Sequence, residues 1–272
     1  MQLRKYLAAP LAALLLTGAS LANAAAPIDV TWNPSAAGIT TAAPFTFDNV
    51  LINTYAAIDI TGGGTAFSEQ GFAVLTVFSN NGLPTSIPTA SFPGGTAYSL
   101  YISFTATGTQ TAGIPSTGSF SSLNYSLLGA PGITTFADSN NDGLFEVTGA
   151  PTITLATGSL SSPGSTSLTG TPGNLLPAAS ITATFVPNPA FAGFFVNPNA
   201  SQILDLSAAF TNTGSVITNI PLGGGNFRLS LNGGGGNATL ALAIPEPDTY
   251  GMLLAGLGLF AFIARRRGQK AA

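Results

Sequence analysis

The sequence predicts an all-β body, an antiparallel β-sandwich or jelly-roll-like domain, and three observations carry that prediction. Apolar and polar residues alternate with period two along several runs, no long stretch shows helical spacing, and 33 Gly with 19 Pro divide the 272 residues into short segments. Alternation of this kind places successive side chains on opposite faces of a strand, so one face can be buried and the other solvated. Hydrophobic residues make up 45% of the chain, enough for a sizeable core.

Residues 1–24 have the three parts of a secretory signal peptide. Arg4 and Lys5 supply the positive start, Leu7 to Leu16 is apolar apart from Pro10, and Ala22-Asn23-Ala24 is a small-x-small cleavage pattern. Signal peptidase is expected to cut after Ala24 or Ala25, because a cut after Ala26 would leave Pro27 at the first mature position. The apolar stretch is too short to span a bilayer.

The body is assigned to residues 25–244. In Tyr98–Ala106, the residues Tyr98, Leu100, Ile102, Phe104 and Ala106 share one face, while Ser99, Ser103 and Thr105 share the other with Tyr101. Ile181, Ala183 and Phe185 repeat the pattern against Thr182 and Thr184. Further strands are expected at Phe72–Phe78, Phe120–Leu128, Thr152–Leu155 and Leu204–Phe210. Near the end, Phe227, Leu229 and Leu231 alternate with Arg228 and Ser230. A Gly-rich stretch follows over 232–237, then Leu240, Leu242 and Ile244, which reads as a hairpin. The glycine runs at 62–64, 223–225 and 233–236 read as hairpin loops. None opens a helix with the Lys-Ser/Thr pair that a phosphate cradle needs.

Charge is scarce and unevenly placed. Charged residues are 6% of the chain, against the roughly 25% usual for globular domains. Between Lys5 and Arg265 the only cation is Arg228, and within the body, residues 25–244, it is set against eight acids (Asp29, Asp48, Asp59, Glu69, Asp138, Asp142, Glu146 and Asp205), a net charge of −7. Nothing there can neutralise phosphates, which excludes nucleic acid as a partner. The hydrophilic coat must come from uncharged Ser, Thr and Asn. With no Cys and no His, disulfides, thiolate nucleophiles, serine triads and zinc–histidine sites are all excluded. The protein is expected not to be an enzyme. A glycoside hydrolase, which needs only two carboxylates, is the one catalytic alternative.

The one compact polar constellation is Asp138-Ser139-Asn140-Asn141-Asp142-Gly143-Leu144-Phe145-Glu146. Side-chain oxygens at Asp138, Asn140 and Asp142, a glycine at the sharp turn, the Leu144 carbonyl and the Glu146 carboxylate follow the opening of a calcium loop. The twelfth position is Gly149, which lacks the bidentate carboxylate of an EF-hand. Calcium is therefore the only cofactor in prospect, and an Asn/Asp/Gly turn needing no metal is the other reading.

The C-terminal segment, residues 245–272, begins Pro245-Glu246-Pro247. A hydrophobic helix is expected over 249–264, and a basic end over 265–270 contains Arg265, Arg266 and Arg267. Its uncharged core, Gly251–Ala264, falls short of the roughly 20 residues that usually cross a bilayer, although flanking residues and snorkelling arginines extend it. The arginines would stay cytoplasmic and leave Pro-Glu-Pro outside, held extended by its prolines.

This order of motif, apolar helix and arginine cluster resembles the PEP-CTERM sorting signal of Gram-negative bacteria. The resemblance implies recognition and cleavage by an inner-membrane exosortase, with the inner membrane as a transient station on the way to the cell surface or extracellular matrix. It also implies an association with exopolysaccharide, biofilm or floc formation. Within the body, Trp32-Asn33-Pro34-Ser35, the strand at Tyr98–Thr105, Phe136-Ala137-Asp138 and Ala209-Phe210-Thr211-Asn212-Thr213 are similar to segments of flocculation-associated PEP-CTERM proteins. The function expected is adhesion or exopolysaccharide association, and the alternative is a calcium-dependent carbohydrate-binding module.

Overall fold

Period-two alternation continues much further along the chain than its clearest sequence signals. The computed structural model describes residues 27–85, 98–171, 174–202, 204–211 and 216–242, all within the unit Ala26–Ala243. In chain order the strands are β1 (Val30–Trp32), β2 (Phe45–Phe47), β3 (Asn49–Thr61), β4 (Ala66–Asn80), β5 (Leu83–Pro84), β6 (Tyr98–Gln110), β7 (Ser116–Pro131) and β8 (Thr135–Ala137). They continue as β9 (Glu146–Thr148), β10 (Ile153–Thr171), β11 (Asn174–Pro187), β12 (Phe195–Asn197), β13 (Leu204–Thr211), β14 (Val216–Gly223) and β15 (Asn226–Leu242). Two short 3-10 turns, Pro34–Ala37 and Pro189–Phe194, are the only helical pieces among the described residues.

The body is all-β, as expected, but it is neither a sandwich nor a jelly roll. Strands β3, β4, β6, β7, β10, β11, β13 and β15 pair antiparallel in that order, and β15 then pairs with both β3 and β13. The sheet therefore closes on itself as an eight-stranded up-and-down barrel. Alternation specifies which side chains face inward, and it does so equally for two packed sheets and for one rolled sheet. Closure depends on the last ladder, from Leu204↔Leu242 to Thr211↔Gly235, which joins residues that no local pattern connects.

The second correction concerns the expected hairpin at 226–244. Residues Asn226–Leu242 form one uninterrupted strand, β15, with the glycine run inside it. A register shift falls between Asn232 and Gly234, and Gly233 has φ +82, a left-handed conformation that glycine adopts at no steric cost. At this bulge β15 changes partner, from β14 over Asn226–Asn232 to β13 over Gly235–Leu242. The glycines thus bend a strand rather than reverse it.

Curvature elsewhere also depends on aromatic–glycine pairs. Tyr125 of β7 lies opposite Gly158 of β10, where a Cβ would collide with the Tyr125 ring and the Thr184 carbonyl. Phe67 of β4 covers Gly108 of β6 in the same way. Each ring occupies the space that the missing side chain leaves, so the wall bends inward without a void.

One barrel end is capped. The order β12-β1-β2 forms a small sheet centred on Trp32, which is 3% exposed and stands 4.7 Å from Phe47, 5.2 Å from Phe194 and 5.9 Å from Phe78, ring centre to ring centre. Phe78 belongs to β4, so this aromatic cluster continues directly into the barrel core. Backbone bonds fasten the cap: the Ile28 N–H donates to the Leu240 carbonyl at 3.1 Å, and the Asn33 N–H to Phe194 at 2.8 Å. The Trp-Asn-Pro-Ser opening is thus structural here.

Among the described residues no helix is long and apolar enough to cross a membrane. The segments 1–24 and 245–272, including the hydrophobic helix expected over 249–264, lie outside the described residues.

The fold makes the body a poor trypsin substrate. Arg228, its single tryptic position, sits in β15 with Ile220 of β14 on one side and Asp59 of β3 on the other. Cleavage requires both ladders to open locally. Native protein should resist trypsin over hours, and denatured protein should give two large fragments meeting between Arg228 and Leu229, read by mass spectrometry. Rapid cleavage of the native protein there would contradict the double-sided ladder.

Candidate functional site

Two places concentrate unusual chemistry: a loop clamped to the outside of the barrel and a carboxyl inside it. The acidic loop lies between β8 and β9, which pair as a two-stranded ribbon, Thr135↔Thr148 to Ala137↔Glu146. Apolar contact holds this ribbon to the outer face of β3, β4 and β6. Phe136 stacks on Tyr55 at 5.4 Å and packs 5.2 Å from Phe72 and 5.1 Å from Tyr101, while Phe145 meets Tyr55 at 5.7 Å. This explains Tyr101, the aromatic residue on the polar side of its strand. It points outward, yet the ribbon buries it to 2% exposure. At the ribbon's base the Ser99 hydroxyl donates to the Gly132 carbonyl and accepts from the Thr134 N–H, both at 2.9 Å.

Arg228 supplies the polar half of the attachment. Its Nε and Nη2 donate to the two Asp59 carboxylate oxygens at 2.6 and 2.8 Å, and its Nη1 donates to the Asp142 carbonyl at 2.9 Å. The Asp59 hydrogen bonds hold the guanidinium pKa above its ordinary value, so the charge persists at any working pH. Gly143 packs against the Arg228 and Ser230 side chains, with no room for a Cβ.

Asp138, Asn140, Asp142, Leu144 and Glu146 lie in one loop, but the side-chain oxygens of Asp138, Asn140, Asp142 and Glu146 face its own backbone. Asp138 accepts from the N–H groups of Asp142 at 3.0 Å and Gly143 at 2.9 Å. Asn140 accepts from Asp142 at 3.1 Å, Asp142 from Leu144 at 2.8 Å, and Glu146 from Ser139 at 2.9 Å. These are the local bonds by which Asp and Asn shape turns. Among the described residues no three His, Cys, Asp or Glu side chains group as a metal site.

The inner site has no counterpart in the sequence reading. The lumen holds a cavity of about 80 Å³ on the side away from the aromatic cap, walled by residues such as Ile60, Phe67, Phe120, Leu168 and Leu229. Glu69 lines it as the one carboxylate among the described residues that does so. Burial in this apolar setting pushes its pKa up to about 7. A signal existed: extending the alternation of β4 back from Ala73 through Gly71 puts Glu69 on the inward face with Phe67.

The residues of the two terminal signals, Ala22, Ala24 and Ala25, Pro245, Glu246 and Pro247, and Arg265, Arg266 and Arg267, lie outside the described residues. Comparison with known families nevertheless identifies the second of these signals. The model of the PEP-CTERM protein-sorting motif matches residues 243–267, which contain Pro-Glu-Pro, the apolar stretch and the three arginines. No curated protein and no solved structure matches the chain. The motif marks an exported protein processed by exosortase at the membrane.

Two measurements follow. In thermal melts, Arg228→Ala should cost about 2 kcal/mol, since it leaves Asp59 and the Asp142 carbonyl unpaired. Millimolar calcium should leave the wild-type Tm unchanged, and a rise that disappears in Asp142→Ala would identify a calcium site instead. Separately, deleting Pro245–Pro247 should leave export intact and abolish C-terminal processing. An unaltered mature C-terminus by mass spectrometry would show that these residues do not direct the cut.

Proposed function

Starting from an exported chain with a PEP-CTERM protein-sorting motif, we propose that the mature body is a non-catalytic component of the extracellular matrix, acting in floc or biofilm by adhesion to exopolysaccharide. The observation that carries this reading is the outer face of β6, β7, β10 and β11, four adjacent strands without a single charged residue. Hydroxyls and amides line up across them: Thr105 opposite Asn124, Asn124 opposite Ser159, and Ser126 opposite Thr157. Thr107 and Ser122 share a hydrogen bond at 2.7 Å on this surface. Such a face offers donors and acceptors at strand spacing without fixed charge, as a neutral polysaccharide presents them in return. The polarity is also the reverse of a membrane-spanning barrel, which carries its apolar band outside.

The net charge of −7 on the body disfavours strongly acidic polymers and favours neutral ones.

Co-sedimentation of the purified protein with an insoluble neutral glucan, against a uronic acid polymer as control, tests the proposal. Retention on the neutral polymer should fall roughly tenfold in Thr105→Ala/Asn124→Ala, which removes two solvent-facing hydrogen-bonding groups at about 0.5–1.5 kcal/mol each. No retention of the wild type, or equal retention of the double variant, would reject this face as the contact.

A further inference from the structure

Inside the barrel, Glu69 has no internal partner. It projects from β4 between its ladder neighbours Ile58 of β3 and Ala106 of β6, and its accessible surface opens into the lumen cavity. No hydrogen bond or ion pair reaches its carboxyl among the described residues, and desolvation alone acts on it. Two further groups in the same lining, Thr54 Oγ1 and Thr166 Oγ1, are also buried and unpartnered. Buried polar groups are ordinarily satisfied. The Glu69 carboxyl, part-buried in the wall, and these two buried hydroxyls thus line one apolar cavity without a partner among the described residues.

We propose that the barrel lumen binds a small primary amine with a short aliphatic tail, its ammonium paired with the Glu69 carboxylate and its tail against the apolar wall. An ammonium carries a positive charge and three donors with no acceptor, which suits a carboxylate that lacks a partner. A carboxylic acid would set a second acid beside Glu69, and an uncharged alcohol would leave an ionised carboxylate uncompensated in an apolar space. The negative body attracts cations to the barrel. A cavity of about 80 Å³ is well below the roughly 300 Å³ of drug-sized pockets, which limits the ligand to a few heavy atoms.

The described ladders change partner beside the cavity. On the side away from the aromatic cap, the β11–β13 ladder ends at Ala178↔Thr211, and β14, which follows, pairs among the described strands with β15 only. Among the described residues no ladder joins β11 to β14, and half-buried Phe210, the last inward residue of β13, lines the cavity at this end.

Binding should depend on pH with a definite sign. Glu69 must be ionised to pair with an ammonium, and it titrates near 7, so affinity rises from pH 6 to pH 8. Tyr125 is the other titratable group in the lining. Its hydroxyl donates to the Thr184 carbonyl at 2.7 Å, and burial drives its pKa far up, so it stays neutral throughout. Asp59 and Arg228 pair with each other on the outer face and do not line the cavity.

The test is calorimetric titration of the full chain with n-butylammonium chloride, using n-butanol as the uncharged control. The amine should bind at pH 8, about tenfold more weakly at pH 6, and at least tenfold more weakly in Glu69→Gln at pH 8. At pH 7, titrations in two buffers of different ionisation enthalpy should report release of about half a proton per amine bound, a readout that needs no variant. No binding, equal binding by Glu69→Gln, n-butanol binding as tightly as the amine, or no proton release would each overturn the proposal. Because none of these readouts involves polysaccharide, the result stands apart from the adhesion proposal.

Discussion

Where β13 meets β15, eight residue pairs from Leu204↔Leu242 to Thr211↔Gly235 join the last strands of the sheet. Without that ladder the long strands would form an open, twisted sheet with a row of unpaired backbone groups at each edge. With it, every barrel strand has neighbours on both sides, and the distinction between inside and outside becomes absolute. Leu206 and Ala208 turn to the lumen, and Ser207 to solvent. The aromatic cap, the lumen, the clamped ribbon and the uncharged face are all positions defined relative to this closed wall.

Closure also explains why glycine is used so heavily. A sheet that closes with only eight strands must bend sharply, and bending brings backbone onto backbone or onto rings. Tyr125 over Gly158 and Phe67 over Gly108 are places where the wall is tightest. Gly233 performs a different task by letting β15 bulge and exchange β14 for β13 in the middle of the strand. The exchange ends the barrel seam early on one side, and the cavity lies on that side.

Charge is placed with the same economy. The single cation of the body is spent on the outer wall, where Arg228 joins Asp59 of β3 to the backbone of the acidic loop. The single lumen carboxylate goes unmatched, and four neighbouring strands carry no charge at all. An outside of hydroxyls and amides can hydrogen-bond to water or to sugar with little difference in free energy. An inside with one unpaired acid is less stable than an apolar core of the same shape, a penalty that only a ligand or protonation relieves.

The C-terminal sorting signal and the all-β class were legible in the residues alone, because both depend on local order. The tail is recognised by Pro245-Glu246-Pro247, an apolar stretch and Arg265–Arg267 in sequence, and strands are recognised by alternation such as that from Tyr98 to Ala106. The acidic loop was legible as a cluster for the same reason. The direction in which its oxygens point was not, since backbone N–H groups compete for Asp138 and Asp142 only once the turn has formed. The run from Phe227 to Leu242 looks like a hairpin because glycines ordinarily mark turns, yet its neighbours across both edges keep it one bent strand. Arg228 and Asp59 are 169 residues apart, and no spacing rule links them. By itself the sequence determined which residues could face a core and that residues 243–267 carry a sorting motif. Tertiary structure alone decided that the core is a lumen, because barrel closure is a long-range pairing whose partners no local period encodes.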